Sequence, residues 1–357
     1  MAQALRINSV GYMPSPSDLP LVASEPVTLI DVARAAGVSA STVSRILNGT
    51  AKVAPEKREA VEAAIRRLNF KPNLFARSLK TGITMTVGVL TQAIESQFYS
   101  RALKGIEMGL TESGHSSIIV SGHWNAEADA ASLKLLTSRR VDGVIILTGN
   151  IADSEVLAVA QQQPVVITER KLEGPNVRSI DLDQKYGGYL ATKHLLALGH
   201  TRIAHLAGVD NRPDAHQRYL GYLQAHEEAG VTPNPRCVVR GNFTDKGGYL
   251  AAQKLLDSGE SFTAIFCAND ESALGARLAL YQRGIRVPED VSLVGFDDLP
   301  MCNYMTPPLT SVRQPVYEVG LYAAHTLLEM MGYPSEAVQV PPLELVVRQT
   351  TRALPTT

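Results

Sequence analysis

From Gly82 onward, short apolar runs alternate with amphipathic helical stretches, and this alternation narrows the fold more than any other feature of the chain. The runs are Val87–Leu90, Ser117–Val120, Gly143–Leu147, Val165–Thr168, Arg202–Leu206, Ala264–Cys267 and Val291–Val294. Short apolar runs separated by helix-length amphipathic segments read as βαβ units and parallel sheets. Two helical segments open alike, GGYLATKHLLALG at 187–199 and GGYLAAQKLLDSG at 247–259. A helix end also passes through Gly-His into a strand twice, at Gly114-His115 and Gly199-His200. These recurrences predict two similar lobes. The copies are too few and too unevenly spaced for a solenoid.

Residues 28–82 have a different character. Thr28-Leu-Ile-Asp31 has the form of a capping box with Asp in the Glu position, and Ile30, Ala33 and Ala36-Gly37 carry a short helix to a glycine stop. Ser39 caps a second helix whose Val43, Ile46 and Leu47 face inward. Pro55 suits the first turn of a third helix with Val61, Ile65 and Leu68 on one side. Three short helices, the first two joined by a glycine turn, make a helix-turn-helix unit. This segment holds ten Lys and Arg against four acids, whereas residues 83–357 hold 23 basic and 29 acidic residues. A basic head on an acidic body points to a polyanion as the head's partner.

The second helix, within VSASTVSRILNG, mixes small hydroxyl side chains with helically spaced apolar ones. In a helix-turn-helix the second helix offers its first turns to base edges in the major groove. Ala40, Ser41, Thr42, Ser44 and Arg45 are the outward positions, and the hydroxyls and the guanidinium suit phosphates and bases.

TLIDVARAAGVSASTVSRILNG, followed by VAPEKREAVEAAIRRLNFKPNLFARSLKTG, resembles the DNA-binding head and hinge of the lac repressor (LacI/GalR) family of bacterial transcription regulators. The likeness continues through RVDGVIIL, GHTRIAHLAG, Arg218-x-x-Gly-Tyr, FCANDESALGA, RVPEDVSLVGFDD and TPPLTSVRQP, and so covers residues 28–350. It implies an α/β two-lobed periplasmic-binding-protein-like core, parallel sheets flanked by helices, with an all-α helix-turn-helix head and a hinge helix. By the resemblance, Ala40 and Ser41 are the two main specificity positions. Thr28, Thr42, Ser44, Arg45, Asn48 and Lys52 make supporting base and phosphate contacts. In the segment from Pro72 to Leu79, Asn73 caps a hinge helix that forms on DNA, Ala76 lets two such helices approach, and Leu79 wedges into the minor groove. Ala40 is smaller than the residue often found at its position. The expected organisation is a disordered leader (1–27), a head (28–72), a hinge (73–82) and a core (83–357). The core's lobes are expected at 83–183 with 313–342, and at 184–312 with 343–352.

Two parallel sheets facing each other leave a cleft at their strand ends, where α/β folds bind small ligands. Carboxylates, guanidiniums and an amide there suit a polyhydroxylated ligand. Trp124 and Phe243, with Phe98 or Tyr99, could cover the apolar face of a sugar ring. The resemblance maps Phe98, Tyr99, Glu169, Arg170, Arg212, Arg218, Phe243, Asn269 and Asp297 onto effector-contacting positions, with Glu169 where Asp is more usual. Asp270 reads better as a helix cap, and His194 and His200 as structural.

No G-x-S-x-G, H-E-x-x-H, P-loop or G-x-G-x-x-G entering a helix occurs, so an enzyme is not expected, and no cofactor or metal is implied. No apolar run is long enough for a membrane span, and no secretory signal is legible. Cys237, Cys267 and Cys302 form no CxxC pair, which suits reduced thiols in a cytoplasm. The sequence therefore predicts a cytoplasmic regulator of double-stranded operator DNA controlled by a small molecule, most simply a carbohydrate. It is expected to act as a homodimer, because one head reads one half-site and two half-sites form a near-palindrome; a dimer is favoured over a tetramer, since LELVVRQTTRALPTT lacks the leucine-heptad tail of some relatives. The rival is a stand-alone periplasmic-type sugar-binding protein. A purely architectural DNA-binding protein would have no use for the large α/β body.

Overall fold

The structure is a computed structural model of the chain, and it describes residues 27–47, 53–70, 82–209 and 212–354. It divides into two compact units, residues 1–82 and 83–357.

In the first unit, α1 spans Leu29–Ala36, α2 spans Ala40–Leu47 and α3 spans Pro55–Leu68. Thr28 and Asp31 form the capping box, each side chain accepting from the other's backbone N–H. Gly37 ends α1 in the left-handed region at φ 65°, where a Cβ would be strained. Val32, Ala33, Val43, Ile46, Val61, Ala64 and Phe70 form the core. Ile30, one of the positions expected to carry α1, is exposed; Val32 takes the inward place beside Ala33.

In the second unit, β1 (Thr86–Thr91), α4 (Gln97–Thr111), β2 (Ser116–Ser121), α5 (Ala126–Ser138), β3 (Gly143–Ile146), α6 (Asp153–Ala160), β4 (Val165–Thr168) and β5 (Val177–Ile180) build the first sheet and most of its helices. Its strand order is β2-β1-β3-β4-β5, all parallel. The chain then passes to α7 (Gln184–Ala197), β6 (Ile203–Ala207), α8 (Pro213–Glu228), β7 (Val238–Arg240), α9 (Asp245–Asp257), β8 (Ala264–Cys267), α10 (Asp270–Gln282), β9 (Ser292–Asp297) and β10 (Thr310–Arg313). Helix α11 (Val316–Met330) returns to pack on α4 and the first sheet, and β11 (Glu344–Val346) joins the second. The second sheet runs β11-β10-β9-β8-β6-β7, with only β11 antiparallel. Central strands β1, β3, β4, β6, β8 and β9 are buried almost throughout, as expected where helices cover both faces.

Strands β5, β7, β10 and β11 were not expected. Each has only three or four residues and carries Arg, Ser, Thr or Glu, so no apolar run announces it. Three of them are sheet edges, where solvent tolerates polar side chains.

Helix pairs meet through reciprocal glycines. A Cβ on Gly105 would lie 2.1 Å from the Tyr317 carbonyl oxygen, and one on Gly320 would lie 2.1 Å from that of Ala102. The same holds for Gly188 against Arg218 and Gly221 against Lys185, and for Gly248 against Ser272 and Gly275 against Asp245. Backbone therefore touches backbone in the pairs α4–α11, α7–α8 and α9–α10. Gly188→Ala is expected to push α7 from α8 and to lower the stability of the body by about 1–3 kcal/mol. Denaturant unfolding against the parent chain reads this directly, and an unchanged midpoint would contradict the close approach.

Candidate functional site

On the head, Ser41 and Arg45 of α2 are exposed, while Thr42 and Ser44 are half-buried. The Ser39 hydroxyl lies 2.8 Å from both the Ser41 and the Thr42 hydroxyls, and it accepts from the Thr42 backbone N–H at 3.2 Å. Ala40 is half-buried, like Thr42 and Ser44, and packs against the head's core. Thr28 is exposed, and its hydroxyl donates to Asp31 Oδ2 at 2.6 Å. Asn48, Lys52, Asn73, Ala76 and Leu79, which the sequence assigns to DNA contact, lie outside the described residues.

In the body, a cleft with about 540 Å³ of empty space lies at the C-terminal strand ends. Phe98 and Tyr99 reach it from the first turn of α4, Trp124 from the loop after β2, and Glu169 from the end of β4. Arg212, Asp214 and Arg218 come from the start of α8, Phe243 from the loop before α9, Asn269 from the cap of α10, and Asp297 from the end of β9. Several of these sit in strained backbone: Trp124 at φ 59°, Glu169 at 61°, Phe243 at 66° and Asp297 at 110°. Non-glycine residues held there cost about 1–3 kcal/mol each and gather at functional sites.

Arg212 forms a two-pronged pair with Asp214, at 2.9 and 2.8 Å, and its guanidinium also approaches Glu169 Oε2 at 3.8 Å. Arg218, 3% exposed, donates through Nε to Gln184 at 3.0 Å and through Nη1 to the Ala268 carbonyl. Its Nη2 lies 3.9 Å from Asp214 and 4.0 Å from Asp297, and its guanidinium covers the Phe296 ring at 3.9 Å. Gln184 donates to Gln314, which donates to Asp297 Oδ1 at 2.7 Å.

Burial pushes the Glu169 carboxyl up, Asp214 adds to this, and the two guanidiniums only partly offset it; the group titrates at about 7. Burial likewise drives Asp297 well above the usual carboxylate range, against the pull of Arg218. At Asp214 burial pushes the same way, but Arg212 and then Arg218 outweigh it and hold the carboxyl low.

Of the nine residues assigned to the cleft from sequence, eight line it and one does not. Arg170 turns away, donating to the Ile151 carbonyl at 2.8 Å and pairing with Asp153 at 3.2 Å, because the chain reverses direction at Glu169. Asn269 lines the wall with both amide ends engaged, accepting from Ser272 N–H and donating to the Phe243 carbonyl. Asp270 neither faces the cleft nor caps: Asn269 is the cap, and Asp270 accepts from Leu299 N–H, Ser311 and Cys302, fastening the segments after β9. His194 and His200 bond Thr351, Thr263 and the Arg352 carbonyl, a structural role. Sequence reasoning missed Asp214, Gln184 and Gln314. Asp214 stands four residues before Arg218 on one helix, a spacing that signals a pair. Nothing in the sequence joins Gln184 to Gln314.

A helix-turn-helix head and a two-lobed body with a polar cleft define a DNA-binding regulator that carries its own small-molecule sensor. Residues 28–73 match the lacI family of bacterial regulatory proteins, and residues 192–351 match the periplasmic binding protein-like domain. The chain is 36% identical over 337 residues to the HTH-type transcriptional repressor PurR of Haemophilus influenzae (strain PittEE), covering 92% of this chain and 99% of that protein. It is 36% identical over 304 residues to the HTH-type transcriptional regulator GalR of Escherichia coli (strain K12), covering 85% and 89%. Among solved structures, the lac repressor dimer bound to operator and the anti-inducer ONPF matches with a TM-score of 0.82 at 32% identity, covering 92% of this chain and 100% of that one. A CelR–cellobiose complex matches with a TM-score of 0.67 at 34% identity, covering 91% and 99%. The chain belongs to the lacI family of bacterial regulatory proteins and is a DNA-binding transcription regulator. A free-standing sugar-binding protein is thereby set aside. Among the described residues, no helix is long and apolar enough to cross a membrane.

The Glu169 carboxyl, raised from 4.5 to about 7, keeps a proton in the folded body that the unfolded chain has already released. Its contribution to stability is complete below pH 4.5 and is lost as pH rises through about 7. Glu169→Gln should therefore gain on the parent chain as pH rises through this window, by on the order of 2–3 kcal/mol at most. Unfolding midpoints of both chains at pH 5 and pH 8 check this; a difference independent of pH would contradict the raised carboxyl.

Proposed function

We propose that the chain is a cytoplasmic, non-enzymatic repressor whose affinity for operator DNA is set by a carbohydrate or related neutral polyol in the cleft. The observation that carries the reading is the donor and acceptor balance there. Arg212 and Arg218 are already engaged by Asp214, Gln184 and the Ala268 carbonyl, whereas Glu169 and Asp297 keep acceptor capacity. A ligand suited to this wall brings hydroxyls, which can donate to or accept from the raised Glu169 and Asp297 carboxyls, and an apolar ring face to Phe98, Tyr99 and Phe243. The bound cellobiose of the CelR relative is of this kind. Losing a hydrogen bond to a charged partner in such a site costs about 1.5–3 kcal/mol.

In this reading Ser41 and Arg45 reach base edges, with Thr28, Thr42 and Ser44 on phosphates and flanking bases, and Ala40 admits the backbone close to the groove. Two heads read two half-sites, so the active species is a homodimer. A seam for that dimer is available on the second lobe. Leu274, Leu278 and Tyr281 form one exposed stripe on α10, beside exposed Leu250 on α9. Apolar patches of this kind are uncommon on surfaces that stay in water.

Fluorescence anisotropy with labelled fragments of the neighbouring promoter, paired with a thermal-shift screen of neutral sugars, tests both ends. Arg45→Ala should weaken operator binding, and affinity should fall by about 0.9 log unit per log unit of salt for each phosphate neutralised. Asp297→Asn, close in shape to the carboxyl it replaces, should weaken the sugar-induced thermal shift while the DNA-binding isotherm without sugar survives. Salt-independent DNA binding, or a wild-type sugar response in Asp297→Asn, would sink the corresponding half.

A further inference from the structure

Trp124 is the only tryptophan of the chain, and its indole lies across the cleft from the lobe that bears α8. The Arg212 guanidinium stacks over its ring, 3.6 Å from the centroid. The ring also packs against Tyr99, 5.9 Å between centroids. Arg212 starts α8 on the second lobe, whereas Trp124 follows β2 on the first. The stack therefore joins the two lobes at the cleft.

The loop that presents the indole is built for it. His123 and Trp124 both stand in the left-handed region, at φ 53° and 59°, which bulky residues avoid unless their surroundings hold them there. A closed ring of hydrogen bonds does so. Gln92 Oε1 accepts from the Trp124 N–H at 2.7 Å, and Gln92 Nε2 donates to Asp129 Oδ1 at 2.8 Å. Asp129 Oδ2 accepts from the Asn150 N–H at 2.7 Å, and Asn150 Nδ2 donates to the Trp124 carbonyl at 2.7 Å. Gln92 and Asp129 are fully buried. Gly122 and Gly149 leave room for them: a Cβ would lie 1.5 Å from Asp129 Oδ1 at the first and 2.7 Å from Gln92 Nε2 at the second. A buried carboxylate, a buried amide and strained backbone all converge on one half-buried indole.

We propose that Trp124 is a positioning residue of the sensor: through its stack on Arg212 it holds the two lobes together in the ligand-free protein and fixes the Arg212–Asp214 pair at the cleft wall. Cation–π contacts of Arg are strongest over Trp, and they need the flat guanidinium face. The stack thereby latches one lobe to the other at the cleft. The proposal rests on the cleft being the effector site, but the stack is measurable without any effector.

The test uses the full ligand-free chain and the emission of its single tryptophan. Arg212→Gln should at least double the acrylamide quenching constant of Trp124 and move its emission toward that of an indole in water. Arg212→Lys, which keeps the charge and loses the plane, should fall between. Hydrogen exchange supplies the second arm. Trp124→Leu should speed amide exchange at 92–98 and 212–218, and Trp124→Phe should restore most of the protection, which a merely space-filling role would not require. Unchanged quenching in Arg212→Gln overturns the stack. Wild-type exchange in a folded Trp124→Leu chain overturns its role in closure. If both arms behave as expected while no sugar in the screen alters the emission, the latch stands and the carbohydrate reading falls.

Discussion

The interaction on which the cleft depends is the burial of the Arg218 guanidinium among Gln184, the Ala268 carbonyl, Asp214 and Asp297. A charge this deep is tolerable only with partners on every side, and removing one partner typically costs about 3–5 kcal/mol. Its partners come from α7, α8 and the ends of β8 and β9, and its flat face is covered by Phe296. The elements of the second lobe are thus held at one point by one side chain. Gly188 takes part as well, because its missing Cβ is what lets the Arg218 backbone lie against α7.

Around that point the lobes use backbone strain and close packing to aim side chains. Glu169 and Asp297 leave their strands at positive φ, so each carboxylate turns into the cleft instead of continuing along the sheet. Three carboxylates then face two guanidiniums, and burial settles the imbalance by raising Glu169 and Asp297 while Arg212 keeps Asp214 ionised. A neutral polyhydroxylated ligand can hydrogen-bond the two raised carboxyls without adding charge to this arrangement.

Much of the fold could be read because central parallel strands are continuous apolar runs and the helix boundaries carry their own chemistry. Thr28 with Asp31, Gly37 and Pro55 marked the head's helices through capping, a left-handed stop and a missing N–H. The short strands such as Val177–Ile180 and Glu344–Val346 could not be read, since pairing with a neighbour and not their own composition makes them strands. The cleft divided the same way. Residues standing directly after apolar runs, such as Glu169, Asn269 and Asp297, were findable by position. The turn at Glu169 that sends Arg170 outward was not, because a left-handed glutamate has no sequence signature. Nor was the Gln184–Gln314 contact, whose partners are 130 residues apart.

Regulation requires that a ligand favour one arrangement of the body and that DNA favour one arrangement too. A tenfold preference at each site is worth about 1.4 kcal/mol, and linkage makes the effect reciprocal. The most direct measurement is therefore a pair of affinities: operator binding with and without a sugar that stabilises the body, and sugar binding with and without operator. The account predicts that operator affinity changes at least tenfold and that sugar affinity changes by the same factor. A sugar that occupies the cleft, yet leaves operator affinity where it was, would contradict it.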